Sequence, residues 1–129
     1  MTFRTWLTFT LAAVSMAGCQ KLKYENNSIE IFPFGVHRIE FDAPKYNQKL
    51  SIEAHSPGSP ISVYLVSQAE SDAAQDQLEK DKTPTASLAS MEKAEEIKLE
   101  ATVPANTAFV LLIRADKKSA QVRVNVSGR

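Results

Sequence analysis

The chain of 129 residues has one cysteine, four glycines, two histidines and one tryptophan, and its 15 basic side chains are cancelled by 15 acidic ones. A lone cysteine excludes an internal disulfide framework and a structural zinc site built on several thiolates. Four glycines and six prolines exclude collagen-like and low-complexity architectures. No glycine-rich phosphate loop exists, because only Gly35, Gly58 and Gly128 follow Gly18. Zero net charge removes the general electrostatic reason to hold nucleic acid, whose binding rests on neutralising phosphates. No apolar run reaches the roughly 20 residues that a membrane-spanning helix needs. What is present is ordinary: 43% hydrophobic and 23% charged residues make one globular domain.

The amino terminus reads MTFRTWLTFTLAAVSMAGC. Arg4 supplies a short positive region, and Trp6 to Ala17 carries no charge. That stretch is too short to span a bilayer and matches the apolar region of a secretory signal. It ends in small residues directly before Cys19. Met16-Ala17-Gly18-Cys19 resembles the lipobox of bacterial lipoprotein precursors, with Met16 where leucine is more usual. The resemblance implies residues 1–18 as a signal peptide cleaved after Gly18, a diacylglyceryl group on the Cys19 sulfur, and acylation of the new amino terminus with chains of the palmitate type. Several acyl chains anchor stably where one is marginal. The alternative is an ordinary signal peptide cut near Ala17, leaving Cys19 free, or a short uncleaved anchor. In lipoproteins an aspartate after the cysteine favours the inner membrane. Gln20 is not aspartate, so the resemblance implies a cell-envelope location on the extracytoplasmic side, the outer membrane where the cell has one.

Loss of Arg4 leaves 14 basic against 15 acidic residues. Residues 20–28, QKLKYENNS, are polar and read as a tether behind the lipidated Cys19, with the folded domain over 29–129. From Ile29 on, apolar and polar residues alternate with period two in HRIEF, QKLSIEAH, ISVYLVS, IKLEATV and QVRVNV, the signature of strands with one buried face. AFVLLIRA is apolar on both faces and predicts a central strand. Breaks at SPGSP (56–60), PAN (104–106) and DKK (116–118) supply turns. The expected fold is all-β, an antiparallel sandwich of six to eight strands. AESDAAQDQLEKDK (69–82) interrupts it as a helical excursion, acids early and lysines late as the helix dipole favours. With Leu78 its only large apolar residue, it is expected to be solvated. Residues 83–95 could open a second helix at Thr83-Pro84 or form an edge strand through SLASM; the strand is favoured. The order PISVYLVS, excursion, VPANTAFVLLIRA and QVRVNV resembles secreted GOLD-type and pre-peptidase C-terminal β-sandwich modules over most of 36–127. That resemblance implies a generally non-catalytic module.

Candidate chemistry is thin. His37 sits on the apolar face of its strand and His55 on a polar face beside a turn; Glu53 or Asp42 would have to join them to bind a metal, and surface or strand-end histidines are the simpler reading. Ser56-Pro57-Gly58-Ser59-Pro60 lacks the G-x-S-x-G of a nucleophile elbow. Glu92, Glu95, Glu96 and Glu100 read as a solvated charge run, not the paired carboxylates of a glycosidase. Asn26-Asn27-Ser28 and Asn125-Val126-Ser127 match the glycosylation sequon, which a bacterial context makes coincidental. Tyr64, on the reverse of the Ile61/Val63/Leu65 face, and Tyr46 are the candidate ligand contacts. Phe32-Pro33-Phe34 is expected to pack under the sandwich, with a docking surface as its alternative. No cofactor, metal or catalytic residue is expected. The expected role is a lipid-anchored interaction or structural module, whose partner is an envelope protein or a glycan. A ligand- or glycan-binding module is the first alternative and a small hydrolase or metal enzyme the second.

Overall fold

The computed structural model describes residues 22–129; Met16, Ala17, Gly18 and Cys19 lie outside them. Eight strands run in chain order as β1 (Leu22–Ile31), β2 (Val36–Phe41), β3 (Gln48–His55), β4 (Ile61–Ser67), β5 (Ala89–Ala94), β6 (Glu96–Val103), β7 (Phe109–Ala115) and β8 (Ala120–Gly128), with helix α1 (Gln68–Glu79) between β4 and β5. They form two four-stranded sheets, ordered β1-β8-β3-β6 and β2-β7-β4-β5, and every pairing is antiparallel. The protein is therefore the all-β sandwich that its alternating pattern predicts.

Alternation decides which side chains meet between the sheets, because successive side chains of a strand point to opposite faces. Leu50, Ile52 and Ala54 of β3, Ile61, Val63 and Leu65 of β4, and Val122, Val124 and Val126 of β8 are all buried in one core. Tyr24, Phe41 and Phe109 close it at one end: the Phe41 and Phe109 rings stack at 4.9 Å and Tyr24 meets Phe41 edge-on at 5.7 Å. AFVLLIRA forms β7, flanked by β2 and β4 as a central strand.

Three segments differ from, or refine, the sequence reading. The expected tether over 20–28 is cut short, since Leu22 already pairs with Gly128 and β1 follows β8 through Ile31, with a register shift between Asn26 and Ile29. Polar residues there hid the strand because β1 is an edge strand whose outer side chains face water. The helix is not a solvated excursion: Ala74 and Leu78 are buried against Tyr64, Val66, Val110 and Leu112 on the outer face of the second sheet. That face is apolar, so something must cover it. Arg38 of β2 holds the helix down, donating to Asp72 (3.1 Å), Gln75 (3.2 Å) and Ser71 (2.9 Å). Within 83–95 the favoured edge strand forms, starting two residues into SLASM and running three beyond it, as β5 on the rim of β4. Among the described residues no helix is long and apolar enough to cross a membrane.

Candidate functional site

The two ends of the sandwich differ in character. At the entry end, where β1 begins, lie Leu22, Gly128, Gln48 and Val103, with the β2–β3 loop holding Tyr46. The β2–β3 and β6–β7 loops are tied together there, Asn106 N–H to the Pro44 carbonyl (2.7 Å) and Ala105 N–H to Asn47 Oδ1 (2.9 Å). At the far end are the β1–β2, β3–β4 and β7–β8 turns, since Ile31 pairs with Ala120, Val36 with Arg114 and Ile61 with Ala115.

The β1–β2 turn, Phe32-Pro33-Phe34-Gly35, is the most exposed apolar feature of that far end, Phe32 being 74% and Phe34 52% accessible. Gly35 N–H closes onto the Phe32 carbonyl at 2.8 Å, and Phe34 has φ +61°. Proline at the second position and a positive φ at the third are the pattern of a type II turn, whose third position favours glycine or asparagine. A phenylalanine there holds a strained backbone, at about 1–2 kcal/mol. Gly35 is required by close approach: a Cβ would lie 2.9 Å from the Phe32 carbonyl oxygen.

The turn is held firmly. Phe34 N–H donates to the Asp116 carbonyl (2.9 Å) and Ala115 N–H to the Gly35 carbonyl (3.0 Å). The Arg114 guanidinium lies 5.6 Å from the Phe34 ring centroid and donates to Asp81 at 2.8 Å. Beside it, Ser59 Oγ reaches the Ser119 carbonyl (2.8 Å) and Gly58 N–H reaches Glu95 (2.9 Å). Aromatic edges are therefore displayed on a braced scaffold, with Lys117, Lys118 and Glu30 exposed nearby. Packing under the sandwich is thus overturned for Phe32 and Phe34. The signal lay in F-P-F-G itself, a turn signature that puts its flanking rings at a tip.

The other sequence candidates separate. Tyr64 is 3% exposed, under α1, and its hydroxyl donates to the Glu92 carboxylate. Burial, with the Glu92 bond second, pushes that hydroxyl well above its ordinary value, and the ring is covered by Ala74 and Leu78 of the helix. Tyr46 is 61% exposed but stands at the entry end, so the two tyrosines form no common site. His37 faces the core, opposite Ile113, and burial lowers its pKa from 6.5. His55 is on the outer face of the other sheet, its Nδ1 3.6 Å from Glu96. The structure does not bring the histidines together, and among the described residues no group of three His, Cys, Asp or Glu side chains is placed to hold a metal. The outer face of the first sheet is polar, crossed by rows such as Glu25–Asn125–Glu53–Lys98.

No protein-family model matches the sequence, and no curated protein does either. Solved structures do resemble the fold. PliG of Aeromonas hydrophila, a periplasmic lysozyme inhibitor of g-type lysozyme, aligns with a TM-score of 0.60 at 7% identity over 90% of this chain and 93% of that one. The Yersinia pseudotuberculosis-derived mitogen aligns at 0.53 with 10% identity, over 83% and 84%. The C-terminal CBM6 of LamC from Zobellia galactanivorans reaches only 0.43, at 10% identity over 83% and 98%. At these identities the first two show a shared sandwich fold and the third carries no argument.

Proposed function

We propose that this protein is a non-catalytic binding module of the bacterial cell envelope, held on the extracytoplasmic side by lipid on Cys19 and presenting its Phe32/Phe34 turn to a protein partner. The observation that carries the reading is the pair of exposed phenylalanines on a braced, strained turn at the end opposite the entry of β1. Strain in an exposed position contributes nothing to the core, so it is a candidate for a functional constraint. Exposed rings that need little further ordering are efficient anchors in partner pockets. β1 is ten residues long and spans about 30 Å, so the turn stands clear of the anchor. Gln20 after Cys19 favours the outer membrane.

Cross-linked capture from envelope extract, comparing the native protein with Phe32→Ala/Phe34→Ala, tests the reading. A specific protein partner lost with the double variant is expected; a partner retained by that variant overturns it. The fold likeness to PliG makes g-type lysozyme the first partner to assay: inhibition of lytic activity that the double variant lacks would identify the partner class. A glycan-binding reading has less support, since Tyr64 is buried and Tyr46 stands apart from the turn.

A further inference from the structure

The early start of β1 changes where the folded domain sits. Only Gln20 and Lys21 separate Cys19 from Leu22, and three Cα steps reach roughly 11 Å. The headgroup region on each side of a bilayer is about 5–8 Å thick. A cysteine whose acyl chains enter the hydrocarbon therefore holds Leu22 against the headgroups, and the entry end of the sandwich lies on the membrane.

That end has the matching chemistry. Tyr46 is 61% exposed on the β2–β3 loop, an amphipathic ring suited to the membrane interface. Lys23, Lys49 and Arg129 are exposed on neighbouring strands of the first sheet: Lys23 is opposite Ser127, and Arg129 exchanges two 3.1 Å backbone bonds with Lys49. A shallow depression of about 560 Å³ opens beside Lys49 and Arg129, lined also by Ser51, Thr102 and Ser127, with Glu100 its one acid. Glu25 is exposed two residues along from Lys23 on the same outer face, and Asp42 and Glu70 are exposed as well. What distinguishes this end is placement: Lys23, Lys49 and Arg129 lie on three adjacent backbone segments at the edge where the chain enters the fold.

We propose that this end is a lipid-facing foot: Tyr46, Lys23, Lys49 and Arg129 rest on anionic phospholipid headgroups and fix the tilt of the domain. The proposal rests on the lipid-anchor reading for its biology, and the occupant is a bilayer surface, not a protein. Attraction of this kind falls off within about 10 Å at ordinary salt, so the short linker is what brings it into range. With the foot seated, the Phe32/Phe34 turn points outward.

The test supplies the anchor chemically, so it does not depend on cellular lipidation. The mature chain, residues 19–129, contains both sheets and the whole core, and Cys19 is its only thiol. It is coupled through Cys19 to maleimide lipid in phosphatidylcholine vesicles with and without phosphatidylglycerol. Trp6 lies in the signal segment, so Tyr46→Trp and Phe32→Trp each give a sole tryptophan reporter. The expected result is a blue shift and quenching by brominated acyl chains for Tyr46→Trp, dependent on phosphatidylglycerol and lost with Lys49→Glu/Arg129→Glu or at high salt. Phe32→Trp is expected to show neither. Equal response of the two reporters, or a Tyr46→Trp signal indifferent to phosphatidylglycerol, overturns the foot and points to another occupant for this end. Failure of the anchor reading is read separately, from Cys19→Ser in cells.

Discussion

Phe34 combines an exposed ring with a backbone angle that only glycine adopts freely. Phe34→Gly relieves that strain while Phe34→Ala keeps it, so the glycine variant should be the more stable of the two by about 1 kcal/mol, measured by urea denaturation. Both should lose the partner. Tyr64 carries a second residue-scale consequence. Its folded pKa is raised above the ordinary value of 10.0 by burial and by Glu92, so the folded state favours the protonated phenol. The stability this confers is fully present below pH 10 and is lost as pH rises toward the folded value. Tyr64→Phe should cost about 1 kcal/mol at neutral pH and should flatten the alkaline fall, both read from denaturation midpoints across pH. His37 works with the opposite sign: burial lowers its pKa from 6.5, so its contribution is present above pH 6.5 and is lost as pH falls.

Among the elements, α1 is the one whose role the tertiary structure redefines. Only Ala74, Leu78 and Ser71 of its residues are buried, yet they cover an apolar patch of Tyr64, Val66, Val110 and Leu112. Leu78→Ala should destabilise the protein by about 2–5 kcal/mol and increase proteolysis in 68–88, checked by thermal melting and limited digestion. Uncovering that patch also exposes the central strands β4 and β7, so the variant should aggregate more readily. The helix was legible as a helix because it lacks β-branched residues between two strands. Its docking was not, because a narrow contact of alanine and leucine leaves almost no amphipathic pattern. β1 shows a different limit: in LKYENNSIEI Leu22 and Tyr24 pack on the core and alternate with Lys23 and Glu25, but the register shift between Asn26 and Ile29 breaks the period before Ile29 and Ile31 resume it.

For the whole molecule, the consequence of the fold is polarity along its long axis, with the entry of β1 and Tyr46 at one end and the Phe32/Phe34 turn at the other. Cys19→Ser in the native host should release the protein from the membrane fraction and block normal precursor processing; retention with normal processing would refute the lipid anchor. Lengthening the linker with Gly-Ser insertions between Gln20 and Lys21 should leave the melting temperature unchanged, because β1 begins beyond it. Such insertions should weaken the membrane seating by lowering the local concentration of the foot.

By itself the sequence determined the sandwich, its core strands and the central place of AFVLLIRA, because each rests on local periodicity; the address proposed for Met16 to Cys19 rests on a contiguous motif alone. The candidate site was legible only in part. F-P-F is visible as an aromatic segment but reads as interior, and Tyr64 reads only as a ring on the reverse of the Ile61/Val63/Leu65 face, open to a core margin or an outer surface. Only the tertiary structure decided those two, since the exposure of a side chain depends on what the rest of the chain places over it. Helix α1 covers Tyr64, nothing among the described residues covers Phe32, and the registers of eight strands separate Tyr46 from both. Alternation tells which residues share a face; packing alone tells which face meets water.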